Sequence, residues 1–76
     1  MIDPDGMTPV YRQVADLIAA QIERGELPPN RPIPSETALM QDFGVARGTA
    51  RRAVRELRDR GLVATVHGRG TYVLPR

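Results

Sequence analysis

The chain contains no cysteine and only one histidine, His67, so two common ways of stabilising a small domain are excluded. Without cysteine there are no disulfides, and a lone histidine cannot organise a zinc site of the usual kind. With 76 residues, the chain is near the lower size limit at which a hydrophobic core supports folding alone. Its stability must therefore come from the 41% of residues that are apolar and from well-capped helices.

Long apolar runs and catalytic patterns are also missing. No apolar stretch approaches the ~20 residues of a membrane-spanning helix, and no signal peptide is visible. The sequence shows no carboxylate pair, no nucleophile–base pair and no cluster of metal ligands. We therefore expect a cytoplasmic protein that is not an enzyme, with no membrane partner, no cofactor and no metal.

Charge is present but unevenly distributed. Residues 1–30 carry two arginines and five acidic residues, a net charge of −3, whereas residues 31–76 carry nine arginines and four acidic residues, a net charge of +5. Lysine is absent, and all 11 basic side chains are guanidinium groups. A basic half of this kind favours a polyanionic partner such as nucleic acid.

Glycine and proline divide the chain into three helical segments and a tail. Apolar residues recur at helical spacing in 9–24, where we expect Thr8 to be the N-cap and Pro9 to lie in the first turn. Ser35 is expected to cap a second, shorter helix, and a third helix is predicted over 46–60. Each helix is followed by a glycine, as expected for left-handed C-caps.

The remaining segments predict extended structure. The connector "ELPPNRPIP" has four prolines, so we expect it to be extended, with Ile33 adding to a sheet edge. The tail is rich in β-branched residues and breaks at "GRG", which predicts a hairpin with strands 62–67 and 71–74 and a three-residue loop. Together these elements predict a mostly α fold, a winged helix-turn-helix of three helices plus a β-hairpin wing. The expected organisation is a flexible leader at 1–8, this domain at 9–74, and a tail or start of a linker at 75–76.

The third helix concentrates the arginines. At ~100° per residue, Arg47, Arg58, Arg51 and Arg55 form a ridge beside the apolar stripe. Acidic residues at i,i+4 neutralise part of the helix, but Arg51 has only arginines at that spacing. We therefore expect Arg47 and Arg51 to have no counter-charge within the chain and to receive it from a nucleic-acid duplex. Duplex DNA supplies it in its phosphates and in the O6 and N7 atoms of guanine, which match the planar arginine fork.

The loop "HGRGT" places His67 and Arg69 beside the glycines Gly68 and Gly70. A hairpin loop of this composition needs no explanation beyond turn chemistry. The dinucleotide-binding pattern G-x-G-x-x-G is not met, because Val73 stands where the third glycine would be. A narrow, cationic tip nevertheless suits insertion along a minor groove or contact with phosphates.

Three stretches of the sequence carry a resemblance to a known family. "PVYRQVADLIAAQIERGEL", "PSETALMQDFGVARGTARRAVREL" and "GLVATVHGRGTYV" resemble the DNA-binding domain of GntR-type bacterial transcription regulators. The resemblance runs from about Pro9 to Val73 and includes the P-S-E cap, the glycine–valine turn, the arginine-rich helix and the G-R-G-T-Y-V wing. Ala46, Gly48 and Thr37 depart from the usual pattern, and each departure removes a side chain that often contacts DNA.

This resemblance implies a sequence-specific, double-stranded DNA-binding transcriptional regulator, a repressor, that binds an inverted-repeat operator as two copies and can form a homodimer on DNA. The recognition helix 46–60 would enter the major groove, and the wing 66–72 would contact the adjacent groove. Family members continue into an effector-binding domain, so no effector ligand is expected in these 76 residues. The expected DNA-binding residues are Arg47, Gly48, Thr49, Arg51, Arg52, Arg55, His67, Gly68, Arg69, Ser35, Thr37 and Tyr11.

A second interpretation belongs to a different class. Winged helices also serve as docking domains, so the arginine ridge could instead face an acidic protein partner.

Overall fold

The computed structural model describes residues 2–75, so the outermost residues of the predicted leader and tail, Met1 and Arg76, lie outside the described residues. Three helices are followed by a two-stranded antiparallel hairpin, which confirms the predicted winged helix-turn-helix. None of the helices within residues 2–75 is long and apolar enough to cross a membrane. The elements are α1 (Val10–Glu23), α2 (Glu36–Phe43), α3 (Arg47–Asp59), β1 (Val63–Val66) and β2 (Gly70–Val73).

The core is formed chiefly where α1 and α3 pack on each other. The apolar residues predicted to form the inner face of α3 are all buried, and alanines among them let the two helices approach closely. From α2, Leu39 closes one side of the core, and Val63 and Val73 of the hairpin close another. The buried helical residues are Val14, Ala15, Ile18 and Ile22 of α1 and Ala50, Ala53, Val54 and Leu57 of α3.

The wing is a hairpin whose loop lies one residue earlier than predicted. Val63 pairs with Val73, and Val66 pairs with Gly70, so the loop is 67–69 rather than 68–70. The shift arises because the Arg69 N–H donates to the carbonyl of Val66 at 2.9 Å and closes the turn there. Gly70 is thereby left in the ladder.

The proline-rich connector adds to the edge of β2, as predicted. The Ile33 N–H donates to the carbonyl of Thr71 at 2.8 Å, and the Val73 N–H donates to the carbonyl of Arg31 at 2.9 Å. Ile33 is buried in the core. The base of the wing is therefore held on both sides, by β1 and by the connector.

The helix ends follow the sequence except at the start of α1. The Ser35 hydroxyl accepts the Ala38 N–H at 3.1 Å, which confirms its role as N-cap of α2. The prediction that Thr8 caps α1 was wrong, because the Arg12 and Gln13 N–H groups donate to the carbonyl of Pro9, which makes Pro9 the N-cap. The Thr8 carbonyl instead accepts from the side-chain amide of Gln13 at 2.7 Å.

The leader contacts α1 through the same glutamine. The Gln13 amide nitrogen donates to the carbonyl of Asp3 at 2.8 Å, and its amide oxygen accepts the Asp3 N–H at 2.7 Å. Ile2 packs against the core. The flexibility expected of residues 1–8 stays a prediction.

The glycines after all three helices have positive φ, as predicted, and Gly44 is the one that opens the turn between α2 and α3. At φ 66° and ψ 39°, Gly44 caps α2 in the left-handed region, where a Cβ atom is unfavourable. Gly48, in contrast, lies within α3, and apart from its chain neighbours and the backbone of α3 itself no described atom lies within 4 Å of the position that a Cβ would take.

Gly44→Ala and Gly48→Ala are the same chemical change with opposite expected effects on the free energy of unfolding. Gly44→Ala should lower it by about 1–2 kcal/mol, because alanine is strained in the left-handed region. Gly48→Ala should raise it by about 0.5–1 kcal/mol, because alanine loses less backbone entropy in a helix. Urea unfolding of both variants beside the parent chain measures the two effects, and a shift of the same sign in both would contradict the assignment.

Candidate nucleic-acid interface

The turn between α2 and α3 places the first turn of α3 at the surface. Gly44 reverses the chain, Val45 packs partly into the core, and Ala46 forms the N-cap of α3 without a side-chain hydrogen bond. The arginine-rich side of α3 is therefore directed outward, with its N-terminal end leading. This is the arrangement expected of a helix that inserts into a DNA groove.

A groove of about 560 Å³ separates α2 and α3 from the wing. Its walls bring together predicted DNA-binding residues from three parts of the chain: Ser35 and Thr37 from α2 and its cap, Arg47 and Arg51 from α3, and Arg69 from the wing. We call this the helix–wing groove, because it lies between α3 and the wing. Residues up to 34 positions apart in sequence thus share one surface.

The expectation that Arg47 and Arg51 have no counter-charge within the chain was wrong. The Glu36 carboxylate accepts from both: it lies 3.4 Å from Arg47 Nη1 and 3.3 Å from Arg51 Nε. Arg47 also donates to the Thr37 hydroxyl at 3.2 Å. The sequence did not predict Glu36 as the partner of these arginines, because Glu36 lies on α2 and i,i+4 spacing relates only residues of the same helix.

This neutralisation is incomplete. One carboxylate is shared between two guanidinium groups, whose side chains remain 51% and 59% exposed. The groove as a whole contains the guanidinium groups of Arg47, Arg51, Arg58 and Arg69 but a single carboxylate, which leaves a net charge of +3. The helix–wing groove is therefore cationic, and the guanidinium groups of Arg47 and Arg51 can both still reach a ligand.

The hydrogen bonds from Arg51, and secondarily the charges of both arginines, hold the pKa of Glu36 below its ordinary value, although partial desolvation acts in the opposite direction. The lowered pKa extends the pH range over which the carboxylate is ionised further towards acidic pH. Its position at the first residue of α2 adds to this preference, because the helix N-terminus attracts negative charge.

The floor of the groove contains three residues that were not among the predicted DNA contacts. Arg58 Nη1 donates to the Thr65 hydroxyl at 2.8 Å, and that hydroxyl lies 3.3 Å from the hydroxyl of Thr71. Thr65 and Thr71 face each other across the hairpin, on the face that also carries Val63 and Val73. The predicted loop at 68–70 would have placed Thr71 opposite His67, so the hairpin prediction did not bring the two threonines together.

A second group of predicted residues lies on the other side of the α3 N-terminus. The guanidinium carbon of Arg52 is 4.2 Å from the ring centroid of Tyr11, a cation–π contact. Gly48 and Thr49 line the shallow depression beside this pair. The half-buried ring of Tyr11 thus orients an arginine, and contact between Tyr11 and DNA stays a prediction.

The remaining predicted residues are exposed and stand apart from these two groups. His67 and Gly68 lie at the tip of the wing, with Gly68 at φ 78°. Arg55 is exposed on α3, one turn beyond Arg51, and makes no ion pair within residues 2–75. Of the predicted i,i+4 pairs on this helix, Glu56–Arg60 forms, at 2.9 Å.

The pattern described as "Bacterial regulatory proteins, gntR family" matches residues 10–73. Among curated proteins, the chain is 48% identical over 68 residues to the mannosyl-D-glycerate transport/metabolism system repressor MngR of Escherichia coli (strain K12) and 39% identical over 72 residues to the HTH-type transcriptional repressor NagR of Bacillus subtilis (strain 168). These matches cover 90% and 95% of this chain but 28% and 30% of the relatives. The chain thus spans less than a third of the length of these curated relatives.

A solved structure matches over nearly the same span. The AraR DBD in complex with operator ORX1 superposes with a TM-score of 0.85 at 41% identity, and the match covers 96% of this chain and 90% of that one. Since nearly all of both chains is covered, the likeness extends over all three helices and the wing.

Glu36→Gln tests the shared ion pair through the pH dependence of stability. Because the pKa of Glu36 is lower in the folded state, its contribution is present above the unfolded value of about 4.3 and is lost as the pH falls through the folded value. The variant should be less stable than the parent by about 0.2–1 kcal/mol at pH 7, the range for exposed ion pairs. Urea unfolding at pH 7 and pH 3 measures this difference, which should shrink at pH 3. A difference that stays constant would show that the ion pair does not contribute.

Proposed function

Because the chain belongs to the gntR family of bacterial regulatory proteins, we propose that it recognises operator DNA with α3 and the wing as the two contact elements. The chain is a sequence-specific DNA-binding domain of a transcriptional regulator of the repressor type. The observation that carries the proposal is the likeness, at 41% identity over nearly the whole chain, to a domain solved in complex with its operator. The cationic groove beside α3 agrees with it.

In this proposal, α3 lies in the major groove and its first two turns meet the bases. Arg47 and Arg51 lead, because their forks are exposed and can make paired hydrogen bonds to guanine O6 and N7. Thr49 and Arg52 lie on the neighbouring side of the helix, where they would contact a base edge or a phosphate. Arg55 is one turn further from the leading end and would contact the backbone.

Glu36 fits this proposal as a preorganising group. It holds two arginine forks over the groove and thereby reduces the side-chain entropy that binding must remove. Replacing its bonds by bonds to guanine costs little, since exposed ion pairs contribute roughly 0.2–1 kcal/mol. Ser35 fixes the start of α2 and so the position of Glu36.

The wing would contact the adjacent minor groove. Its tip carries His67 and Arg69 with Gly68 between them, so the loop is narrow and carries a permanent positive charge. The connector and β1 hold both sides of β2, which limits the freedom of the tip.

A single copy presents a small surface, so two copies on an inverted repeat, about one DNA turn apart, form the proposed binding unit. We propose that the protein acts in the cytoplasm and catalyses no reaction. The proposed boundaries of the DNA-binding domain are residues 9–74.

Arg51→Ala tests base recognition. The variant should bind its preferred duplex more weakly by roughly 1–3 kcal/mol and should lose discrimination at one base pair, because a paired contact to guanine is removed. Selection from randomised duplexes, followed by titration, measures both effects. Arg24→Ala is the matched control, since Arg24 is an exposed arginine at the end of α1, outside the groove. An unchanged sequence preference in Arg51→Ala would remove Arg51 from base recognition.

Arg69→Ala tests the wing. The variant should weaken binding to all sequences alike and reduce the slope of log K against log salt by about one, because one phosphate contact is lost. Titrations between about 50 and 200 mM salt measure the slope. A slope equal to that of the parent chain would place the tip away from the DNA.

A further inference from the structure

DNA geometry defines what the helix–wing groove would face, provided that the proposed function holds. In a duplex, one sugar–phosphate strand separates a major groove from the neighbouring minor groove. If α3 occupies the first and the wing the second, that strand must cross the groove between them. Whatever lies on the floor of the groove therefore faces phosphodiester groups.

The floor of the groove has more hydrogen-bond donors than the described residues supply acceptors for. Arg58 offers five N–H donors, of which one is used, on Thr65. The hydroxyls of Thr65 and Thr71 lie 3.3 Å apart, so at most one of their two hydrogens is used between them. Whichever hydroxyl donates, the other retains a free O–H, for which residues 2–75 supply no further acceptor.

The charges in the groove point in the same direction. Arg58 makes no ion pair within the described part of the chain, and the single carboxylate of the groove, Glu36, is already shared by two other arginines. Spare N–H and O–H donors around a permanent positive charge favour an anion with several acceptor oxygens. The non-bridging oxygens of a phosphodiester fit this description.

We propose that Arg58, Thr65 and Thr71 form a phosphate-binding site on the floor of the helix–wing groove. This site binds the DNA strand that passes between the recognition helix α3 and the wing. Arg58 supplies the charge and donates directly to a phosphate oxygen. The free hydroxyl of the threonine pair donates a second bond. The hydrogen bond from Arg58 to the Thr65 hydroxyl polarises the threonine pair and strengthens the bond that its free hydroxyl donates.

The site also couples the two contact elements. Arg58 lies in the last turn of α3, and Thr65 lies on β1, so their bond ties the recognition helix to the wing. A phosphate bound by both Arg58 and the threonine pair would fix the distance between the wing and α3. The site contributes affinity but no sequence preference, because phosphate contacts carry no base information.

The test compares salt slopes on a mixed-sequence duplex, which isolates backbone contacts from base recognition. Arg58→Gln removes the charge and should reduce the slope by about 0.9, the value for one lost phosphate contact. Arg58→Lys keeps the charge and should keep the slope. Thr71→Val removes a neutral donor, so it should weaken binding without changing the slope. Arg24→Gln, an arginine outside the groove, serves as the matched control and should keep the parent's slope.

Two outcomes would overturn the site. If Arg58→Gln weakens binding but keeps the parent's slope, Arg58 only positions the wing and does not bind phosphate. If Arg58→Gln and Arg24→Gln reduce the slope equally, the effect is one of net charge and no site exists. Urea unfolding of each variant identifies losses that come from misfolding, and Arg58→Lys then decides between contact and structure. Failure of the proposed function is separate, since the parent chain itself would then show no sequence preference among duplexes.

Discussion

Burial of one face of α3 against α1 is the constraint on which the rest of the structure depends. Because Ala50, Ala53 and Leu57 are fully buried, the rotation of the helix about its own axis is set, and the arginines can lie only on the remaining faces. The same packing decides which arginines face the wing and which face the solvent. The cationic surface is therefore a consequence of how the core is filled, and a small domain obtains it without any buried charge among its described residues.

Charge within the interface is organised at two levels. Glu36 offsets part of the repulsion between Arg47 and Arg51, while Arg58 on the groove floor is left with hydroxyl partners alone. The first arrangement keeps two forks extended in the free protein at little cost. The second leaves a positive charge without a carboxylate partner among the described residues. Both follow from which helix or strand supplies the neighbour, since α2 supplies a carboxylate and β1 a hydroxyl.

The helices could be predicted from the sequence because their signals are local. Apolar spacing, the Ser35 cap and the glycines that follow each helix depend on residues a few positions apart, and errors such as Thr8 amount to one residue. The bond between Arg58 and Thr65 and the shared carboxylate of Glu36 could not be predicted in this way. They depend on how separate elements pack, and helical-wheel reasoning on α3 cannot include a partner from another element. The identities of the candidate DNA-binding residues came from chemistry and resemblance, whereas their grouping on two sides of α3 came from the fold.

Gly48 has a consequence for how such a domain can diversify. Apart from its neighbours in the chain and the backbone of α3, no atom of the described residues lies within 4 Å of the place where its Cβ would be, and its φ lies outside the left-handed region. A new side chain at this position would project into solvent from the leading turn of α3, beside Thr49 and Arg52. In the proposed binding mode, a substitution here therefore changes the side chains that face the DNA without disturbing the packing that keeps the domain folded.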